Sequence, residues 1–280
     1  YLILYLLLHK IDVLHLQWLP FLEICSIEKK FLRIIRFVSP KTKILLTVHN
    51  LYPHNSSKVQ KTAYRQRFKG VQEFIDKFIL HLEVSRREFC KDFAIEDART
   101  CVVPHGIFEP KGIKIEPRER GEKLNLIMYG NQSYYKGTDI LVDALTLLSK
   151  ECQKIVHTVI VGKIAPNYYA ELRKKTKSLD VEWIPEFVPD NVLYNKITES
   201  DVIVIPYREI SQSGVLLLAL SFKRAIIVSD LPSFKETLAG FGKDVFFENE
   251  NAESLAKLIE MYAFEQNDMH FILSAIERLY

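Results

Sequence analysis

The 280-residue sequence has no CxxC pair and no clustered cysteines; Cys25, Cys90, Cys101 and Cys152 stand apart. That spacing excludes a thiolate metal centre and a disulfide framework, and points to reduced thiols in a cytosolic protein. No apolar run is long enough for a membrane span. Residues 1–8 are strongly apolar, but His9 and Lys10 end the run far short of the ~20 residues a bilayer needs. A signal peptide would show a basic start and a small-residue cleavage site, and neither is present. The first residue is not Met, and the chain opens inside an apolar, helix-like run, which is the pattern of a chain lacking its true N-terminus. A basic stripe with interleaved aromatics is also missing, as is any nucleic-acid motif, so no nucleic-acid partner is expected.

What is present fits a globular chain long enough for two ordinary domains, 48% apolar and 26% charged. Charge is uneven. Residues 1–108 carry 17 Lys and Arg against 10 Asp and Glu, whereas residues 109–280 carry 21 against 25. The first part alone therefore suits an anionic surface.

Residues 109–123 (EPKGIKIEPRERGEK) are Pro, Gly and charge with almost no apolar content. This predicts a linker between domains at 1–108 and 124–280. In the first domain, residues 12–18 alternate weakly before Pro20, as a strand would. Residues 27–38 set Lys29, Lys30, Arg33 and Arg36 among apolar residues at helical spacing, with Arg33 and Arg36 on one face. Two readings stand for this helix: a core helix with a solvated charged edge, or a contact with an anionic membrane surface. Residues 43–48 form a strand that runs into His49, Asn50 and His54. Open α/β sheets place ligands at such strand ends, so His49 is either structural or part of a site. Residues 58–69 are basic and polar and read as mobile.

The second domain is organised around residues 202–236. Two four-residue apolar runs, 202–205 and 225–228, flank an apolar helix at 215–222, a βαβ unit of a parallel sheet. The loop before that helix ends in Gln212, Ser213 and Gly214. Ser caps free N–H groups, Gly lets a ligand approach the backbone, and the helix dipole favours an anion. The reading is a phosphate at this helix start; an ordinary cap is the alternative. Upstream, strands at 124–129, 157–161 and 181–184 alternate with helices at 138–149, 168–178 and after Asp190, a doubly wound pattern. The end, 252–264 and 270–280, reads as helical.

The segments DVLHLQW, LTVHNLYPH, VVPHG, YGNQSYYKGTDILVDAL, VIVG and VIVIPY…QSGVLLLAL…AIIVSDLPSFKE follow one another in this order. As an ordered set they resemble the retaining family 4 glycosyltransferases of GT-B fold. The resemblance implies two Rossmann-like doubly wound α/β domains facing a cleft, the first incomplete. It implies a metal-independent transfer, without a cofactor, of a hexosyl group from a nucleotide diphosphate sugar to a glycan or lipid-linked acceptor. The setting would be the cytoplasmic side, peripheral at the inner face of the membrane. Lys136 would neutralise the diphosphate. Gln212, Ser213, Gly214 and Val215 would line the same site, Phe187 and Val188 would take the base edge, and His49 would sit beside the transferred sugar.

The sequence departs from that pattern in three places. Asn131 stands where the family has an Arg five residues before the lysine. The Glu-x7-Glu pair falls at Ile210 and Leu218, with Glu209 one residue off the first frame. The glycine-rich first loop is absent. The missing Glu pair and first loop favour a rival reading, a non-catalytic glycosyltransferase-like subunit; a GT-B epimerase fits the His49 and Lys136 motifs less well.

Overall fold

The computed structural model describes residues 2–264 except 109, 117 and 119. The chain divides into two compact units, Tyr1–His105 and Gly106–Tyr280. Each has its own apolar core. The expected α/β class holds: every strand pair among the described residues is parallel.

In the first unit the strands β1 (Val13–Leu16), β2 (Lys43–Thr47), β3 (Lys77–Leu80) and β4 (Thr100–Val102) lie in sequence order. Helix α1 (Leu2–Leu8) packs beside α2 (Ile27–Val38), and α2, α3 (Lys58–Lys69) and α4 (Glu83–Phe93) cross between successive strands. The core is Leu32 and Ile35 of α2, Phe68 of α3, Phe89 and Phe93 of α4, and Ile44 and Phe78 of the sheet.

Two expectations change here. The stretch 58–69 is not a mobile segment but helix α3, because Ser57 and Gln60 form a reciprocal capping box that satisfies its first N–H groups. Arg36 does not share the outer face of α2. It turns inward, pairs with Asp76, and donates to the carbonyls of Thr42 and Phe74, tying the helix to the sheet. The outward face of α2 keeps Lys30 and Arg33, with Ile27, Ile34 and Phe37 exposed between them.

The second unit holds β5 (Leu124–Tyr129), β6 (Val156–Val161), β7 (Val181–Ile184), β8 (Val202–Ile205), β9 (Ala225–Ser229) and β10 (Phe246–Phe247), in the spatial order β10-β9-β8-β5-β6-β7. Helices α5 (Thr138–Leu147), α6 (Lys150–Ile155), α7 (Pro166–Lys175), α8 (Asp190–Thr198), α9 (Gly214–Ser221), α10 (Pro232–Thr237) and α11 (Ala252–Phe264) connect and cover them. The helix expected at 138–149 is α5, which ends at Leu147; Ser149 instead caps a separate helix, α6, by accepting from the Cys152 amide. Strands β8 and β9 are buried along their whole length, as continuous apolar runs demand. The stretch expected as a linker groups with this unit. Arg118 pairs with the fully buried Asp201 at 2.7 Å, and Arg120 donates to the Tyr262 carbonyl. The helix expected at 270–280 lies outside the described residues.

The order of this sheet has a consequence for function. The chain runs β5, β6, β7 in one direction and β8, β9, β10 in the other, so the direction reverses between β5 and β8. Loops leaving such neighbours diverge to opposite faces and leave a crevice at the carboxyl end of the sheet. The loops concerned are 130–137 and 206–213.

Candidate functional site

The loop after β5 is fixed by a residue that composition and spacing do not single out. Gln132 is buried; its amide donates to the carbonyls of Gly130 and Val161 and accepts from the Thr138 hydroxyl. From this base a single helical turn, Tyr134–Lys136, carries Lys136 inward. The turn closes through Gly137 at φ +69°, where a Cβ would lie 1.9 Å from the Pro206 carbonyl oxygen. Only glycine fits, and the turn therefore sits directly on the end of β8.

Lys136 is 8% exposed. Its ammonium donates to the Tyr207 hydroxyl at 2.6 Å and lies 4.4 Å from the Tyr207 ring centroid. Among the described residues no carboxylate pairs with it. Burial pulls its pKa from the ordinary 10.5 down to about 8, so it remains a cation at neutral pH. The position of a Cβ on Gly130 would be 3.5 Å from both the Lys136 Nζ and the Val215 Cγ2. That places the charge at the first turn of α9.

Helix α9 begins as the sequence reading expects. Ser213 is its N-cap, accepting from the Leu216 amide at 3.2 Å, and its hydroxyl also meets the Tyr207 phenol. Gly214 is exposed; only Phe108 ring carbons approach the place of its absent Cβ, at 3.7 Å or more. The carbonyl of Val215 accepts from the Tyr129 hydroxyl at 2.9 Å. Beside them the Gln212 amide nitrogen is buried and has no hydrogen-bond partner. A buried donor left unpaired costs roughly 1–3 kcal/mol, which an acceptor oxygen from a ligand would recover. The second unit thus brings together Lys136, Gln212, Ser213, Gly214 and Val215 at the switch point, with Gly130, Gln132 and Tyr207 in support. One unpaired amide donor, a helix N-terminus and a cation without a carboxylate partner are an arrangement that suits an anion.

Asn131 is exposed on the loop after β5, and Glu209 is exposed on the loop after β8. Phe187 is 83% exposed beyond β7, the edge strand, while Val188 packs against the core. Ile210 and Leu218, where the resembled family carries its Glu pair, also pack against the core.

In the first unit His49 follows β2 and lines a cavity of about 310 Å³ with Gln17, Trp18, Glu23, Tyr52 and His54. Its Nε2 meets the Gln17 side-chain oxygen at 3.1 Å, and its ring stacks on Trp18 with centroids 4.6 Å apart. His81 and His105, which follow β3 and β4, continue a row of imidazoles at 5.3 and 5.2 Å. Burial first, and then the neighbouring His81, His105 and His15, hold the His49 pKa below the ordinary imidazole range. His49 is therefore a neutral hydrogen-bonding group at neutral pH. The sequence signal for this row was available: each of these histidines comes within three residues of the end of a parallel strand.

Comparison with known proteins fits this geometry. The profile described as "Glycosyl transferases group 1" matches residues 123–263. Two curated sequences described as GDP-mannose:glycolipid 4-beta-D-mannosyltransferase, both from Xanthomonas campestris pv. campestris, are similar to the chain. They are 25% and 24% identical over 236 and 234 residues, in each case 79% of this chain and 62% of the relative. The chain thus spans less than two thirds of the length of these relatives. Among solved structures, the Anabaena protein HepE in complex with UDP and glucose matches with TM-score 0.72 at 15% identity, over 99% of this chain and 76% of that one. A trehalose-phosphate synthase from Burkholderia xenovorans gives 0.72 at 12%, over 98% and 72%. The lipopolysaccharide outer core galactosyltransferase WaaB gives 0.68 at 16%, over 100% and 74%. At these identities the structures show the fold, two Rossmann-like α/β units of the GT-B class. The profile covers half of the chain, including the whole switch-point site: the chain belongs to the group 1 glycosyl transferases.

Proposed function

We propose that the chain forms part of a glycosyltransferase that moves a hexosyl group from a nucleotide diphosphate sugar to a glycan or lipid-linked acceptor, with retention and without a metal. One observation carries the reading: a buried ammonium, Lys136, held without a carboxylate partner at the first turn of α9. A diphosphate would supply the missing counter-charge, and the ammonium with the α9 amides would stabilise it as it leaves. In the transfer step the bond between the sugar C1 and the β-phosphate oxygen breaks. The acceptor oxygen bonds to C1 on the same face, and its proton passes to the leaving phosphate. The neutral imidazole of His49 is assigned to the transferred group, where it stabilises charge by a hydrogen bond. Phe187 and Val188 are assigned to the base edge, Asn131 to a phosphate contact and Glu209 to the ribose.

The curated relatives are named for GDP-mannose and a glycolipid and HepE holds UDP, so the donor base is open between uracil and guanine. A lipid-linked acceptor would bring the chain to the cytoplasmic face of a membrane, and the outer face of α2 suits peripheral contact there. No helix among the described residues is long and apolar enough to cross a membrane. Transfer assays with GDP-mannose and UDP-glucose and a glycolipid acceptor test the reading, with calorimetry of UDP and GDP binding beside them. A second reading, a nucleotide-binding subunit without turnover, draws on Ile210 and Leu218, which put core contacts where the family's Glu pair would be. Diphosphate binding without transfer or donor hydrolysis, by the full-length gene product, would establish that second reading instead.

A further inference from the structure

The turn that carries Lys136 is short. Its own backbone bonds run from Lys136 to Ser133 and from Gly137 to Tyr134. A buried ammonium with no carboxylate gains solvation by moving outward, so something must hold the turn against the sheet. Gly137 packs on Pro206 and Lys136 bonds Tyr207, and Arg208 adds a set of polar contacts to the rest of the turn. Its backbone amide donates to the Tyr135 carbonyl at 2.7 Å. Its guanidinium donates to the Tyr134 carbonyl at 2.7 Å and grips the Asp139 carboxylate with two bonds, at 2.9 and 2.7 Å. The same group lies 4.0 Å above the Tyr134 ring. Asp139 is fixed from its other side by the Tyr168 hydroxyl at 2.8 Å.

Arg208 is itself anchored. Its carbonyl accepts from the Asn249 amide at 3.1 Å, and its Nε reaches the Glu250 carboxylate at 3.3 Å. With the guanidinium committed to Asp139, Tyr134 and Glu250, it is not the replacement for the phosphate-binding Arg that Asn131 displaces. We infer that Arg208 is a positioning residue for the anion site: paired with Asp139, it latches the Tyr134–Gly137 turn onto the end of β8 so that Lys136 stays buried and aimed at the start of α9. The inference rests on the diphosphate reading of that site and names a part of it that no motif marks.

The full chain is titrated with UDP and with GDP by calorimetry between pH 6.5 and 9.5, in wild-type, Lys136→Ala, Arg208→Ala and Arg208→Lys forms. In the wild type, affinity is expected to fall above about pH 8 as Lys136 loses its proton. Arg208→Ala is expected to lower affinity at pH 7 by tenfold or more and to move the break upward, because a released lysine regains its ordinary pKa. Arg208→Lys keeps the charge but not the two-pronged grip, and is expected to fall between the two. A residue that merely supports the fold would lower the melting temperature and leave the break near pH 8. That result, or wild-type affinity in Arg208→Ala, overturns the latch while the site reading stands. Unchanged affinity in Lys136→Ala, or a wild type that binds neither diphosphate, overturns both. Should Arg208→Ala not fold, Asp139→Asn removes the other half of the latch and is read by the same break.

Discussion

Lys136 concentrates the residue-scale argument, because its cost in the empty protein and its use in the loaded one are the same fact. Removing it should weaken nucleoside diphosphate binding by about 1.5–3 kcal/mol, the range for a hydrogen bond to a charged group. Calorimetry that finds Lys136→Ala binding as tightly as wild type would take it out of the site. Its titration makes a second, independent prediction. The folded ammonium titrates near 8 and the unfolded one near 10.5. Between those values the unfolded chain holds more protons, so stability without ligand should rise with pH across that window. The gain should vanish in Lys136→Met, which fills the same space without a charge; denaturant titrations at pH 7.5 and pH 10 compare the two. A wild-type profile parallel to that of the variant would mean that Lys136 is not buried as a cation.

At the scale of elements, much of the second unit was legible and the reasons are physical. Strands β8 and β9 are buried on both faces, and burial of that kind writes itself as continuous apolar runs ended by Pro206 or by Ser229 and Asp230. Ser213 reads as a cap because its hydroxyl has a use only where backbone N–H groups are free. Composition failed where one local bond decided the outcome. Residues 58–69 look polar enough to be mobile, yet the Ser57–Gln60 box sets the helix. Arg36 shares helical spacing with Arg33, but Asp76 lies forty residues away and no spacing rule reports it. Gly137 was read as part of a motif, and only the structure gives its reason. Gly137→Ala would drive a Cβ into the Pro206 carbonyl and hold a φ of +69°, costing on the order of 2–5 kcal/mol. Thermal unfolding within a degree of wild type would contradict the packing described for the turn. On α2, Lys30→Glu with Arg33→Glu should lower binding to vesicles of anionic lipid, and salt should do the same. Phe37→Ser should weaken it at any salt. Binding indifferent to all three would leave α2 a core helix with a solvated edge, the other of the two readings its sequence allows.

At the scale of the whole chain, the question is whether two units with separate cores serve one reaction. The sequence divided charge between them, basic before residue 109 and acidic after it, and each unit sets its candidate residues at the carboxyl ends of a parallel sheet. In the second unit those residues suit an anion. In the first, His49 is a neutral imidazole stacked on an exposed tryptophan, which suits hydroxyl groups better than phosphate. If both contribute to transfer, their substitutions should separate in kinetics. Lys136→Ala should show itself in diphosphate affinity. His49→Ala should leave that affinity within twofold of wild type and cut turnover by ~10²-fold, the scale of one lost preorganised hydrogen-bonding group. A structural histidine behaves differently: removing it would unstack Trp18, lower the melting temperature, and reduce activity only with the folded fraction. His49→Gln separates the two cases further, since an amide can keep a hydrogen bond to the sugar without keeping the stack. Partial recovery of turnover in His49→Gln, at the melting temperature of His49→Ala, is the expected result. Wild-type turnover in His49→Ala would confine the chemistry to the second unit and leave the imidazole row without a part in it.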